Sequence, residues 1–251
     1  MIFMKKYLKI LIWTLLSISL PKNTYGNEPN PEEIKVQEVH SNVLFVGLGS
    51  YCEAADVLKA CDLRKAAFPF DWILSSDQRK LIELLEVDFL DFLKESSLRP
   101  LQNNWKILLQ THYRMEFHHE GEWQGGGVNQ NKNNLILKYE RRINRFRELK
   151  SYRGKVFFIR FANKHALEPN IYYKIKENLE ITEIDSLNLN TALKKYFPQL
   201  DFQLIIVNVH EKEEIKEEKI IDNIVMIRAN PELPLTLKKS NYLKFFSKLI
   251  L

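Results

Sequence analysis

The sequence predicts an α/β domain in which helical layers cover a largely parallel, Rossmann-like central sheet. Two observations lead to this fold class. The first is a set of four short apolar runs without strict polar alternation, which is typical of strands covered on both faces. The second is that helical stretches lie between the runs, which favours a parallel arrangement. The four runs are Val43–Leu48, Val156–Phe161, Leu204–Val209 and Ile224–Ile227.

The helices are predicted from apolar periodicity and capping patterns. Apolar residues recur at steps of four, four, three and three from Leu135 to Leu149, which predicts a helix over residues 134–150. Ser75 and Gln78 form a capping-box pattern that predicts a helix through Leu85. Further elements are predicted as helices over residues 52–62, 89–93, 188–197 and 239–250, a weaker strand over Trp105–Leu109, and a mobile loop over residues 121–134.

The N-terminus has the composition of a secretory signal. Lysines precede an apolar run from Ile10 to Leu20, and small residues stand before a predicted cleavage site between Gly26 and Asn27. The run is too short for a membrane-spanning helix, which needs about 20 residues. We therefore expect residues 1–26 to be a signal, 27–41 a flexible lead-in and 42–251 a single domain. The protein is expected to be secreted or periplasmic, with an uncleaved anchor as the alternative.

The predicted signal also accounts for most of the positive charge. The chain has 37 basic and 32 acidic residues, a net charge of +5. Residues 1–26 contain four lysines and no acid, so the remainder has a net charge of +1. The exported domain therefore has no basic excess that would favour nucleic acid as a partner, and no stable membrane insertion is expected once the signal is removed.

The two cysteines, Cys52 and Cys61, are predicted to be free thiols. Both are expected on one helix, where nine residues correspond to about 13 Å. A disulfide needs Cα atoms within about 7 Å. A free thiol in an exported protein is then explained either by burial or by chemistry.

Cys52 follows a glycine-containing turn, Gly47-Leu48-Gly49-Ser50-Tyr51, at the end of the first strand. A cysteine at the start of a helix is close to free N–H groups that stabilise a thiolate and can hold an oxyanion. This pattern indicates a nucleophile. Two other interpretations stay open: a packed structural cysteine, and an anion-binding turn in which Gly49, Ser50 and an arginine such as Arg141, Arg142 or Arg160 hold a ligand.

A second segment, Phe68-Pro69-Phe70-Asp71-Trp72, places a carboxylate among aromatic residues. A buried carboxylate is costly without a partner, so Asp71 is expected to pair with Arg64 or a histidine. Trp72 is a candidate ligand contact beside it.

His118 and His119 are the best candidates for a general base, because they stand in a polar stretch beside a glycine-rich segment. His112 is close to them in sequence, and His210, at the end of a predicted strand, is a competitor. The spacing of the histidines contains no strong metal signature, and we expect neither a metal nor another cofactor.

The motifs together resemble a bacterial family of unknown function described as papain-like cysteine peptidases. The resemblance rests on Gly49-Ser50-Tyr51-Cys52-Glu53-Ala54-Ala55, on Leu63-Arg64-Lys65-Ala66, on Phe68-Pro69-Phe70-Asp71-Trp72, and on a Phe-x-His stretch followed by a Tyr-x-Arg-Arg-Ile helix. It spans most of residues 43–210.

The resemblance implies a thiol nucleophile at Cys52 and a histidine base at His119, with His118 as the neighbouring alternative. Asp71 would be the orienting acid or a structural aspartate under the site. A polar orienter after the histidine, such as Asn163 or Asn208, has no motif here. The resemblance also implies a papain-like α+β fold, whereas the strand before Cys52 favours the parallel α/β arrangement.

The sequence therefore predicts a cysteine-dependent hydrolase or acyl transferase that acts on a peptide, amide or ester. The alternative is a non-catalytic or transferase-like module that binds a phosphate or a sugar nucleotide at the glycine turn.

Overall fold

The computed structural model describes residues 42–101, 104–118, 128–162 and 180–250. These residues belong to one unit, His40–Leu251. Residues 1–41 lie outside the described part, so the signal, the lead-in and the domain boundary remain predictions.

Eight strands and five α-helices are described. The strands are β1 (Val43–Gly47), β2 (Leu98–Leu101), β3 (Asn104–Gln110), β4 (Met115–Phe117), β5 (Lys155–Phe161), β6 (Phe202–Val209), β7 (Lys216–Ile221) and β8 (Ile224–Ala229). The helices are α1 (Glu53–Ala60), α2 (Gln78–Glu86), α3 (Val128–Glu148), α4 (Glu183–Tyr196) and α5 (Leu235–Ile250).

The central sheet has the strand order β1-β5-β6-β8-β7. The pairs β1–β5, β5–β6 and β6–β8 are parallel, and only β7 is antiparallel to its neighbour. The predicted α/β class with a largely parallel sheet is therefore confirmed, and the papain-like α+β alternative is not the architecture of this chain.

Helices cover both faces of this sheet, which explains why its strands are apolar on both sides. Along β5, Phe157 and Ile159 pack in a cluster with residues of α1 and α5. The alternate residues Val156 and Phe158 pack in a second cluster with α2, α3 and α4. Burial of apolar area on both faces is the main stabilising contribution to such a core.

A smaller antiparallel sheet, β2-β3-β4, stands apart from the central one. It contains the weak strand predicted at Trp105–Leu109, which is confirmed as β3 but pairs here and not in the central sheet. An isolated bridge joins Leu74 to Glu116 in β4. Through this bridge the small sheet reaches the segment that precedes α2.

Two local predictions before the small sheet are wrong. The cap of α2 is Asp77, whose side chain accepts a hydrogen bond from Arg79 N, and not Ser75. Ser75 is engaged elsewhere, by the turn after β1. Residues 89–93, predicted to be helical, form turns in which Asp88, Phe89 and Asp91 have positive φ angles.

The three helices predicted after residue 130 are confirmed, and each begins a few residues earlier than predicted. α3 begins at Val128, so the second half of the loop predicted over residues 121–134 is helical. Residues 121–127 lie outside the described part of the chain. Among the residues that are described, no helix has both the length and the apolar character needed to cross a membrane.

Candidate active site

Cys52 lies where the sequence predicts it, at the carboxyl end of β1 and the start of α1. It is the N-cap residue of α1 and is partly buried. The turn before it continues the pairing with β5, since Leu48 N donates to Ile159 O at 2.8 Å and Phe161 N donates to Gly49 O at 3.1 Å. Cys52 therefore stands at the edge of the sheet where parallel α/β folds place their ligands.

Gly49 is required by the geometry of this turn. Its φ is +81°, a conformation that glycine adopts at no steric cost. A Cβ at this position would lie 2.2 Å from Ser75 Oγ, far inside contact distance. The next residue, Ser50, is also tied to this segment, because Ser75 N donates to Ser50 O at 2.7 Å. Gly49 and Ser50 thus hold the turn against the segment before α2.

Arg160 braces the same turn from below. Its guanidinium is fully buried and donates to Leu48 O at 2.6 Å, to Ser75 O at 2.7 Å and to Ser75 Oγ at 3.3 Å. Burial lowers the pKa of Arg160 to about 9. The expected anion contact through Arg160 is therefore corrected, because two of its nitrogens bond to the protein and none reaches the surface.

The other two arginines of the anion hypothesis lie on α3. Arg141 is exposed. Arg142 is buried and its guanidinium stacks on Tyr139, with 4.7 Å between Cζ and the ring centroid. Arg160 and Arg142 thus contact other groups of the protein, and the anion-binding module stays a prediction.

The thiol of Cys52 is protonated in this arrangement. Burial contributes most to raising its pKa to about 12, and the carboxylate of Asp56, which also makes a side-chain hydrogen bond to the thiol, and that of Glu53 contribute the rest. The expected stabilisation of a thiolate by the helix start is outweighed, because two acids of the first turn of α1 face the same end. Cys61 is likewise free, at the other end of α1, as predicted.

The reactivity of Cys52 toward iodoacetamide measures this protonation. Between about pH 6 and pH 9 we expect Cys52 to react at least about tenfold more slowly than free cysteine, because the thiolate is the reacting form. Mass spectrometry of the Cys52 peptide gives the rate, and the chain unfolded in urea is the control. A folded Cys52 that reacts faster than free cysteine at pH 6 would show a preformed thiolate and contradict this expectation.

Asp71 has the arginine partner that the sequence predicts. Its Oδ2 accepts from Arg64 Nη2 at 2.8 Å, from Arg64 Nε at 3.0 Å and from Phe68 N at 3.0 Å. Burial raises the pKa of Asp71, whereas the Phe68 N–H and Arg64 lower it. A Cβ built on Gly47 would lie 3.1 Å from Asp71 Oδ1, so the carboxylate lies against the last residue of β1. All of these contacts are with groups of the protein itself, and the role of Asp71, as orienting acid or as structural aspartate under the site, stays a prediction.

Trp72 is half-buried next to this ion pair. The guanidinium of Arg64 lies over its ring, 5.4 Å from the centroid. A ligand contact through Trp72 stays a prediction, since one face of its ring already faces Arg64.

His118 is held by a carboxylate that the sequence analysis did not single out. Its Nε2 lies 2.8 Å from Glu116 Oε2. Glu116 is fully buried, and the side chain of His118 is 18% exposed. The ring of His118 meets the ring of Tyr51 edge to face, with centroids 6.0 Å apart. His118 therefore lies beside the residue that precedes Cys52.

The described site thus combines a cysteine at a strand-to-helix turn with a carboxylate-bound histidine. Over residues 43–212 the chain matches the family described as "Putative papain-like cysteine peptidase (DUF1796)". The chain belongs to this family. Neither the curated proteins nor the solved structures give a match.

Membership of this papain-like family supports the general class of cysteine peptidase. A peptide is the substrate that this class implies. The matched range includes Cys52, Asp71 and both histidines of the pair. His119, the base that the resemblance favours, lies outside the described residues, as does Asn163.

Of the remaining described candidates, Asn208 and His112 have side-chain partners elsewhere. Both ends of the Asn208 amide bond to the backbone of Ile181, at 2.8 and 3.0 Å, which occupies this candidate orienter. His112 pairs with Glu83 at the surface, 3.1 Å from its carboxylate. His210 follows β6, and its backbone N–H donates to Ala229 O at 2.8 Å.

Proposed function

We propose that this protein is a cysteine-dependent hydrolase or acyl transferase in which Cys52 is the nucleophile and His118 the general base. The observation that carries the proposal is the buried Glu116 carboxylate on His118, whose ring contacts Tyr51, the residue that precedes Cys52 in the chain. A carboxylate that orients a histidine beside a nucleophile is the arrangement that acyl transfer requires. Family membership supports the same class of reaction.

The raised pKa of Cys52 means that the proton must leave during the attack. Since Nε2 of His118 bonds to Glu116, Nδ1 is the nitrogen that takes the proton from Sγ. The Sγ–C bond forms as the carbonyl π electrons move to oxygen, and free N–H groups at the start of α1 stabilise this oxyanion.

Collapse of the tetrahedral intermediate then expels the leaving group. The C–N or C–O bond of the substrate breaks, and His118 returns its proton to the departing amine or alcohol. Water attacks the resulting thioester in the same way, with its proton passing through His118 to Sγ. An acceptor amine or alcohol in place of water makes the reaction an acyl transfer.

Replacing Glu116 by glutamine tests the carrying observation. We expect kcat for hydrolysis of a p-nitrophenyl ester or an aminoacyl amide to fall about 100-fold, because an amide no longer stabilises the imidazolium formed during attack. The change keeps size and hydrogen-bonding capacity, so the fold is expected to survive.

The control is Glu83→Gln, which removes the carboxylate of the surface pair Glu83–His112. Glu83 and His112 are also a carboxylate–histidine pair, but they have no role in the proposed reaction. Loss of the Glu83 carboxylate should therefore leave kcat unchanged. Equal activity of Glu116→Gln and the parent protein would rule out Glu116 as the orienting acid.

A further inference from the structure

A half-buried ion pair joins the first turn of α1 to α5 beside Cys52. Lys238 Nζ lies 2.7 Å from Glu53 Oε1, and Glu53 is the residue that follows Cys52 in the chain. The side chains of Lys238 and Glu53 are only 13% and 16% exposed. Charges that are partly buried are screened by salt much less than charges on the surface. The charges of this pair therefore act on the groups around them.

Lys238 is fixed at this position by the segment between β8 and α5. Its Nζ donates to Pro231 O at 2.9 Å, and its backbone N–H donates to Pro234 O at 2.9 Å. An ammonium group has three N–H donors. With Glu53 and Pro231 as acceptors, the ammonium of Lys238 is held at the start of α1 instead of moving freely in solvent.

The groups that face the thiol from α1 are acidic. Burial, then Asp56 and then Glu53 raise the pKa of Cys52, and both carboxylates belong to the first turn of α1. Tyr242 of α5 lines the same cavity as Glu53. Burial, and after it the Glu53 carboxylate, raises the pKa of Tyr242, so this phenol is neutral. Lys238 is the cation that offsets the charge of Glu53.

The negative charge that develops on Cys52 Sγ during attack must form beside these carboxylates. His118 contacts Tyr51 on the side of β4, and it supplies a positive charge only after it has taken the thiol proton. A like charge close to the sulfur opposes ionisation of the thiol, and an opposite charge favours it. The balance between Glu53 and Lys238 therefore contributes to the free energy of the attack.

We infer that Lys238 supports Cys52 as a nucleophile by offsetting the charge of Glu53, so that the pair presents almost no net charge to the reacting sulfur. The inference rests on the proposed function. It adds to the candidate site a residue of α5 that no motif around Cys52 includes.

Alkylation of Cys52 by iodoacetamide at about pH 8 tests this role without any turnover of substrate. Lys238→Met removes the ammonium and keeps an unbranched side chain, and we expect it to slow the reaction about fivefold. Glu53 then faces the sulfur without a counter-charge, which lowers the fraction of the reactive thiolate. Glu53→Gln should accelerate the reaction by a similar factor. Mass spectrometry of the Cys52 peptide gives each rate.

The double variant Glu53→Gln/Lys238→Met separates charge from structure. It again presents no net charge to the sulfur, so its rate should return to within about twofold of the parent rate. A purely structural role of Lys238 predicts instead that the double variant stays as slow as Lys238→Met. If Lys238→Met does not fold, Glu53→Gln alone decides, since an unchanged rate in that variant overturns the inference.

Lys239→Met is the matched control. Lys239 is the next residue of α5, and its Nζ pairs with Asp62, which follows the other end of α1, at 3.2 Å. This variant should keep the parent rate. An unchanged rate in Lys238→Met, or equal slowing in Lys239→Met, overturns the inference even if the protein hydrolyses esters. The expected set of rates without turnover of any p-nitrophenyl ester supports the charge effect and sinks the proposed function.

Discussion

Replacing Cys52 by alanine is expected to remove hydrolase activity altogether, with kcat lower by about 10⁴-fold or more. The reason is that no other described side chain at the turn after β1 can form the covalent intermediate in its place. Ser50, the serine of this turn, is buried. The measurement is steady-state hydrolysis of a p-nitrophenyl ester, together with a search for an S-acyl adduct on the Cys52 peptide.

Cys61→Ala is the matched control for this prediction. Cys61 ends α1 and is buried, and its Sγ contacts Lys239 O at 3.8 Å on the side of α5. It has no role in the proposed chemistry, so this variant should keep its activity and lose at most about 1–2 kcal/mol of stability from the core. Activity that survives in Cys52→Ala would end the thiol mechanism.

Replacing Asp71 by alanine is expected to have the largest effect on stability. Removal of the carboxylate leaves Arg64 without its partner and the buried Phe68 N–H without an acceptor. Breaking a buried ion pair in this way costs about 3–5 kcal/mol. Urea unfolding followed by far-UV circular dichroism measures the change as a lower midpoint at unchanged slope.

An exposed ion pair is the control for Asp71. Glu86 lies 3.8 Å from Lys195, and both side chains are largely exposed. Glu86→Ala should change stability by no more than about 0.5–1 kcal/mol, because surface pairs contribute little. If Asp71→Ala unfolds at the same urea concentration as Glu86→Ala, Asp71 does not anchor the segment under the site.

The strands of the central sheet show how much of the fold the sequence could predict. A parallel strand covered on both faces is apolar at most positions, so β1, β5, β6 and β8 are visible as nearly continuous apolar runs. β7, with the sequence Lys-Glu-Glu-Lys-Ile-Ile, is an exposed edge strand and has no such signal. Charged residues are common on edges because they oppose further pairing, and the same charges conceal the strand in the sequence.

The cap of α2 shows a local pattern that tertiary contacts override. Ser75 has the right spacing for a capping box, and so does Asp77 for a simple cap. Only the fold engages Ser75, through Arg160 and Ser50, and leaves Asp77 to accept from Arg79 N. Arg160, which is 85 positions from Ser75 in the chain, thus favours Asp77 over Ser75 as the cap.

The residues of the candidate site likewise fall into those that local sequence predicts and those that only the fold reveals. The glycine turn and Cys52 are local in sequence and could be predicted. Glu116 could not, because in Met115-Glu116-Phe117 it looks like an ordinary polar residue alternating with apolar ones. Its role depends on tertiary contacts: the backbone of Glu116 pairs with Leu74, its carboxylate is buried against His118, and the ring of His118 contacts Tyr51.

The amino-acid sequence by itself determined the α/β class, the position of Cys52 at the end of the first strand, the free state of both cysteines and the family. These follow from apolar runs, glycine and short-range spacing, whose physical causes act over a few residues. The tertiary structure alone decided that Arg160 braces the turn, that Asp71 pairs with Arg64 rather than with a histidine, and that Glu116 holds His118. Burial and long-range pairing govern those choices, and both are properties of the assembled core.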